Sequence, residues 1–464
     1  MLTPRELVGR GVTAAIDAAR AVRPATRGGE RHFRDGLRFR HDARDWSDDA
    51  RRAWTLRRLR EVVREAARTT PFYRERLQRI GFDAGRDFDF DDFARLPVLE
   101  RADVHRDVDG MLSPEVAPQG RRRDGTGGST GVPLVYYSGP RERGWRLSGQ
   151  EHFMRRLGVP RGVSTAFLWG HHLDARERTE WRERVRDALT NRRWYDCFRL
   201  EPEVLLAYHE EMARTRPACL VAYASALDSL ASVLLERGMT ADYPQHRIVT
   251  GAEKLWPQQR ARIERAFPVP VHERYGSREV GLIGMQVATG ESPAFEVDWA
   301  NLLVEPDRDG GEADILVTKL NADAMPMLRY RIGDVGRFPS GSRPGHPALQ
   351  LTEVHGRILD RLHLPNGRWL HGVGIAHLMK DFPLREFQIR QAADYSIEVV
   401  LVPNTGYEPS HGDAILAVLQ LNLPGLPMHL TIANEIPRSG ANKWRPVLSH
   451  VAAAAHPTPS SPVP

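Results

Sequence analysis

Five short segments hold the residue types that chemistry on an anionic substrate requires. The first, Asp124-Gly125-Thr126-Gly127-Gly128-Ser129-Thr130-Gly131-Val132-Pro133, is the densest run of glycine in the chain. Glycine lets backbone amides turn toward an anion and hydroxyls add donors, which is what a polyphosphate needs. No Lys-Ser or Lys-Thr follows, so this is not a Walker A loop, and the third glycine is out of place for a dinucleotide fingerprint. On its own the segment reads equally well as an ordinary flexible loop. In Tyr275-Gly276-Ser277-Arg278-Glu279 a ring able to stack on a base precedes a carboxylate able to hold a hard cation, while a strand end with a turn is the plainer explanation. Tyr330-Arg331-Ile332-Gly333-Asp334 puts a carboxylate at a strand-to-turn junction, where it can accept hydrogen bonds from a ribose diol or simply close the turn. Gly356-Arg357-Ile358-Leu359-Asp360-Arg361 reads as a charged turn between a large and a small piece of chain. Ser439-Gly440-Ala441-Asn442-Lys443-Trp444-Arg445 presents one of only four lysines, against 62 arginines. A lysine there offers a compact point charge that arginine does not reproduce, though a surface lysine would look the same.

The apolar pattern indicates what positions these segments. Residues 46–68 predict an amphipathic helix, with Trp54, Leu59, Val62, Val63 and Ala66 near helical spacing and Thr69-Thr70-Pro71 ending it. Strand-like and helix-like pieces then alternate: strand 165–169, helix 204–214, strand 219–223, helix 226–237 and strand 247–250. That alternation predicts α/β layering. Residues 301–340 read as strands and turns. A smaller piece carries strand 396–402, helix 413–420 and strand 429–433. The expected organisation is a basic extension (1–45), a large α/β domain (46–359), a small α+β domain (360–455) and a disordered Pro/Ser-rich tail (456–464).

Composition narrows the classes. The chain has 464 residues and two cysteines, Cys197 and Cys219, too few for a disulfide framework or a cysteine zinc cluster. That suits a reducing, cytoplasmic setting. The net charge of +6 is concentrated at the amino terminus: residues 1–60 hold 15 Arg against 8 acidic residues. The body is therefore close to neutral, which argues against nucleic acid as a partner. A solvated arm is preferred to one that contacts a membrane. No apolar run approaches ~18 residues, so no spanning helix is expected. The polar start, with Asp17 and Arg20 further on, argues against a cleaved secretion signal.

Taken in order, the segments carry a stronger signal than any one of them. With Thr70-Pro71-Phe72-Tyr73, Leu96-Pro97-Val98-Leu99, Ala222-Tyr223-Ala224-Ser225 and Gly251-Ala252-Glu253, they span about residues 50 to 450. In this the chain resembles the adenylate-forming superfamily of acyl-CoA synthetases, adenylation domains and luciferases. More narrowly it resembles the phenylacetate–CoA ligase family and its capsule-biosynthesis relatives. Arg278 stands where many superfamily members have threonine, and Ala441-Asn442 separate Gly440 from Lys443.

The resemblance implies a large adenylation domain with a mobile carboxy-terminal lid. It also implies roles. Thr126, Gly127, Gly128, Ser129, Thr130 and Gly131 would embrace the phosphates of ATP. Gly251, Ala252 and Glu253 would line the adenine, Tyr275 with Gly276 would stack on it, and Asp334 would hold the ribose. Glu279 would help bind Mg²⁺, Arg357 would contact the ribose or phosphate, and Asp360 would be the hinge. Lys443 would bridge the substrate carboxylate and the α-phosphate. The implied reaction joins a carboxylic acid to AMP, then passes the acyl group to coenzyme A. An amine, a sugar or an acyl-carrier protein is the alternative acceptor. A catalytically silent nucleotide-binding protein that docks through its basic arm is the rival outside enzymology. For the acyl pocket the candidates are Tyr136, Trp169, His171, Tyr223 and Ser225. No third ligand accompanies His171-His172, so a pocket or turn role is preferred there to metal binding.

Overall fold

The computed structural model describes residues 24–125, 134–169, 181–197, 199–290, 293–357, 361–365, 369–371, 382–437 and 447–451, with Gly11, Ile375 and Met379. The chain divides into two units, Met1–Val354 and His355–Pro464.

In the first unit a hairpin, β1 (Arg122–Gly125) and β2 (Val135–Ser138), precedes the main sheet. The sheet is built from β3 (Thr165–Leu168), β4 (Arg192–Tyr195), β5 (Cys219–Tyr223), β6 (Arg247–Gly251), β7 (Val271–Ser277), β8 (Gly281–Gln286) and β9 (Phe295–Val297). A second sheet uses β10 (Leu302–Pro306), β11 (Glu312–Lys319), β12 (Tyr330–Arg337) and β14 (Glu353–Arg357), while β13 (Gln350–Leu351) joins the edge of the first. The eight-stranded order is β13-β9-β8-β7-β6-β5-β3-β4. Strands β4, β3, β5, β6 and β7 run parallel, and β8 is antiparallel to both β7 and β9. Every residue of β5 is buried, as a central parallel strand covered on both faces requires. The register pairs Leu168 with Ala222 and Tyr223 with Gly251. The carboxyl ends of β3, β5 and β6 therefore finish together, the place where open α/β sheets bind ligands.

The helix predicted over 46–68 spans Asp48–Thr69. Ser47 caps it by accepting from the Ala50 amide, and Leu59, Val62, Val63 and Ala66 face the core. The arginine-rich stretch before it is partly built into the same unit. Helix Pro24–Asp42 lies against helix Pro140–Arg156. Arg40 is buried and donates to Asp298 from Nε (3.1 Å) and Nη2 (2.7 Å), and to Ser148 Oγ at 2.8 Å. Phe39 sits among Trp46, Trp54, Trp145 and Trp299, with ring centroids 4.7 to 5.8 Å away. The crossing needs a small residue at Gly144: a Cβ there would lie 2.6 Å from the Gly29 carbonyl oxygen and from His32 Cβ.

The second unit holds a hairpin, β15 (Arg361–His363) and β16 (Trp369–His371), and the strands β17 (Leu384–Gln391), β18 (Ile397–Pro403), β19 (Met428–Ile432) and β20 (Val447–Ser449). These last four form a sheet in the order β19-β18-β17-β20. Helix Pro409–Asn422 crosses over between the parallel β18 and β19 and buries Ile415 and Leu419. The observed fold is thus a large α/β unit followed by a small α+β one, the fold class expected from the sequence.

Candidate active site

The Tyr-Gly-Ser-Arg-Glu segment ends β7 and turns into β8, with an irregular register between Tyr275 and Gly276. Glycine is required at this step, since a Cβ on Gly276 would meet the Gly281 carbonyl oxygen at 2.3 Å. The Tyr275 ring is half-buried, edge-on to Phe295, and its hydroxyl donates to Asp334 Oδ2 at 2.9 Å. Two residues 59 positions apart in sequence thus meet in one hydrogen bond. Asp334 lies on β12, which begins at Tyr330. Leu99 pins that strand: its amide donates to the Arg329 carbonyl and its carbonyl accepts from the Arg331 amide, both at 3.0 Å. The Leu96–Leu99 segment therefore has a structural task.

Glu279 is buried in the turn and accepts from the Tyr330 hydroxyl at 3.4 Å. The neighbouring Arg278 carbonyl accepts from Tyr136 Oη and from Arg146 Nη2, each at 2.7 Å. The Arg278 guanidinium donates to the Gly125 carbonyl at 3.0 Å. That ties the β7–β8 turn to the last described residue before the glycine-rich segment. The register of β1 with β2 sets Gly125 opposite Val135. Thr126, Gly127, Gly128, Ser129, Thr130 and Gly131 themselves lie outside the described residues, as do His171, Asp360 and Lys443.

Gly251 ends β6, and Ala252 follows with φ of 67°, a left-handed conformation that alanine rarely adopts. Such strain recurs at ligand sites. The bend brings Glu253 back to accept from the Ser225 amide at 3.1 Å, which satisfies a donor at the start of helix Ala224–Glu236. Lys254 then reaches Glu353 on β14 at 3.0 Å. Arg357 ends that strand.

Of the acyl-pocket candidates, Trp169 and Tyr223 come together, edge to face at 4.3 Å between centroids. Ser225 follows Tyr223 at the start of the helix. Tyr136 goes elsewhere. It is buried, its hydroxyl is committed to the Arg278 carbonyl, and Lys319 Nζ stands 5.7 Å from its ring centroid. Its hydroxyl thus holds the β7–β8 turn at Arg278.

Two buried or half-buried cations near these segments are absent from the motif reading. Lys319 is buried against Glu142 at 3.0 Å; burial lowers its pKa and the Glu142 carboxylate raises it again. Arg274 directly precedes Tyr275, and its guanidinium carbon lies 4.5 Å from the Trp169 ring centroid. Strand alternation was the available signal for Arg274: in β7 it must face opposite to Tyr275. Among the described residues no group of three His, Cys, Asp or Glu is placed to hold a metal ion. No described helix is long and apolar enough to cross a membrane.

No family model matches the chain. A curated relative, protein CapK of Staphylococcus aureus, is 23% identical over 281 residues, which is 60% of this chain and 61% of CapK. The match therefore spans less than two thirds of that protein. Among solved structures, 2-hydroxyisobutyryl-CoA ligase in the postadenylation state with R3-HIB-AMP aligns with a TM-score of 0.64 at 18% identity, covering 87% of this chain and 90% of that one. The same ligase with 2-HIB-AMP and CoA in the thioesterification state aligns with a TM-score of 0.54 at 19% identity, covering 88% and 91%. At these identities the likeness establishes a shared fold.

Proposed function

We propose that this chain is an ATP-dependent acid–thiol ligase of the phenylacetate–CoA ligase type. It activates a carboxylic acid as its acyl-adenylate and transfers the acyl group to coenzyme A. The observation that carries this reading is the Tyr275–Asp334 hydrogen bond beside the buried Glu279, at the end of a parallel sheet. Two hydrogen bonds, Tyr275 to Asp334 and Tyr330 to Glu279, join the β7 end and its turn to β12.

Each residue type suits its assigned task. The Tyr275 ring, fixed through its hydroxyl, offers a face for adenine. A carboxylate accepts several hydrogen bonds, so Asp334 can hold a ribose diol while it orients Tyr275. The strained Gly251-Ala252-Glu253 bend presents backbone along the base. One buried carboxylate, Glu279, fits Mg²⁺, which is commonly held by one or two carboxylates together with substrate phosphates. When bound, that ion lessens the repulsion between carboxylate and triphosphate. By resemblance, the glycine-rich segment holds the phosphates, and Lys443 supports charge on the α-phosphate as the carboxylate oxygen attacks. The bond from phosphorus to the bridging oxygen breaks and pyrophosphate leaves. A thiol then attacks the acyl carbon, loses its proton, and AMP departs. Trp169 and Tyr223 suit an aryl or arylacetic acid.

The test is acid-dependent pyrophosphate release from ATP over a panel of aryl, arylacetic, fatty and amino acids, with and without coenzyme A. Lys443→Ala is expected to lower the rate by about 10²–10³-fold while ATP binding persists. Near wild-type release by that variant would remove Lys443 from the reaction. AMP formation that requires an amine or a carrier protein in place of the thiol would reassign the acceptor. Nucleotide binding with no turnover on any acid would favour the silent binding protein.

A further inference from the structure

Arg274 is used by neither the fold nor the proposed nucleotide site. Its stem lies along Gly251 so closely that a Cβ there would stand 2.7 Å from Arg274 Cγ and 2.8 Å from Nε. Its guanidinium then reaches over Trp169, whose ring is edge-on to Tyr223. These groups mark the carboxyl ends of β3, β5 and β6, next to Ala252 and Tyr275. Other inward-facing arginines of this unit have partners: Arg40 has Asp298, Arg329 has Glu305, and Arg260 has Glu273 and Gln286. Among the described residues no carboxylate pairs with Arg274; the groups that act on it electrostatically are Tyr223 and Cys219. Burial holds its pKa below the ordinary guanidinium value, yet arginine stays protonated near neutral pH. A half-buried cation without a counter-charge is unfavourable until an anion arrives, and a guanidinium matches a carboxylate in bidentate geometry.

We infer that Arg274 selects the acid substrate by pairing with a second anionic group on it, at the end away from the carboxylate that is adenylated. The inference rests on the acyl-adenylation reading, and it narrows the substrate class to acids with a second negative group, the dicarboxylates being the simplest. An aromatic diacid would place its ring against Trp169 and Tyr223 and its distal carboxylate on the guanidinium.

Matched pairs test this: phthalate, isophthalate and terephthalate against benzoate, carboxyphenylacetates against phenylacetate, and glutarate against pentanoate. The quantity read is the ratio of kcat/KM for diacid over monoacid. In wild type at least one pair is expected to favour the diacid by about tenfold or more. Arg274→Met keeps the stem over Gly251 and is expected to lower that ratio by about 10²-fold, the scale of truncating one partner of a buried charge pair. Arg274→Lys is expected to fall between. A ratio unchanged in Arg274→Met, or a wild type that favours the monoacid in every pair, overturns the inference. An arginine that merely packs on Trp169 would alter folding and rate for all acids and leave the ratio in place. Calorimetric titration of each diacid into the full chain without nucleotide separates this inference from the reading beneath it. If no acid drives pyrophosphate release, the adenylation reading fails, and diacid binding lost in Arg274→Met still supports the anion site. If turnover is absent and wild type binds no diacid, both fail.

Discussion

At the scale of single residues, the site depends on side chains that hold one another. Tyr275 contributes a ring face and a hydroxyl, and these separate experimentally. Tyr275→Phe keeps the face and loses the bond to Asp334; a net hydrogen bond of about 0.5–1.5 kcal/mol predicts ATP binding weaker by roughly 2- to 12-fold. Tyr275→Ala loses the stacking face as well. Base–aromatic stacking of about 1–3 kcal/mol predicts a further loss of roughly 5- to 150-fold. Equilibrium titration with a fluorescent ATP analogue measures both, and equal losses in the two variants would deny the ring a stacking role. Most of this constellation was legible in the sequence, because Tyr275, Glu279 and Asp334 sit in short motifs of unusual composition. Tyr136 lies close in sequence to the glycine-rich segment, while its hydroxyl bonds across 142 positions to the Arg278 carbonyl, a contact that spacing does not reveal. Lys319 and Arg274 lie at strand positions whose neighbours in sequence say nothing of the partners they meet across the fold, Glu142 for one and the Trp169 ring for the other.

At the scale of elements, the sequence places β3, β5, β6 and the helices Pro202–Thr215 and Ala224–Glu236 to within one or two residues, while β4, β7 and helix Pro257–Ala266 are not assigned. β5 is fully buried and reads as an unbroken apolar run. The amino-terminal arm reads as a solvated, partly helical extension, and the packing of helix Pro24–Asp42 was not legible because Gly28, Gly29 and Gly36 interrupt its apolar period. Those glycines belong to the contact. A Cβ on Gly36 would meet Ser148 Oγ at 2.2 Å, and one on Gly144 would meet the backbone of the facing helix. Two substitutions on this crossing should act in opposite directions. Gly144→Val must push the helices apart and strain the buried Arg40–Asp298 pair, and is expected to lower unfolding stability by about 1–3 kcal/mol. Gly29→Ala meets only the Pro140 carbonyl at 3.7 Å and replaces glycine inside a helix, so a neutral change or a gain of up to about 1 kcal/mol is expected. Urea titration followed by tryptophan fluorescence reports directly, since Trp46, Trp54, Trp145 and Trp299 surround Phe39. Equal effects of the two variants would mean that the crossing does not contribute to stability.

At the scale of the whole molecule, burial of ionisable groups sets how stability follows pH. His32, His152, His209 and His272 are all held below the ordinary histidine value chiefly by burial. For His152 the value falls to about 4, with Arg40, Arg156 and Arg155 adding to the burial. A histidine with a lowered folded pKa stays neutral in the native state while the unfolded chain takes up its proton. Its contribution is therefore complete above about pH 6.5 and is lost as pH falls toward 4. Buried carboxylates work the other way. Burial raises Glu273, Asp298, Glu305 and Asp323 even against their arginine and backbone partners. The native state thus holds their protons more tightly, which offsets part of the loss from the raised native-state values downward. The histidine contribution falls from pH 7 to pH 5, and a histidine variant separates it from the opposing carboxylates. The slope is at most about 1.4 kcal/mol per pH unit for each histidine. Urea midpoints at half-unit pH steps measure it. His152→Gln should give a shallower decline over the same window. A decline as steep as wild type would show that the native and unfolded chains bind the His152 proton alike, and that burial does not set its charge.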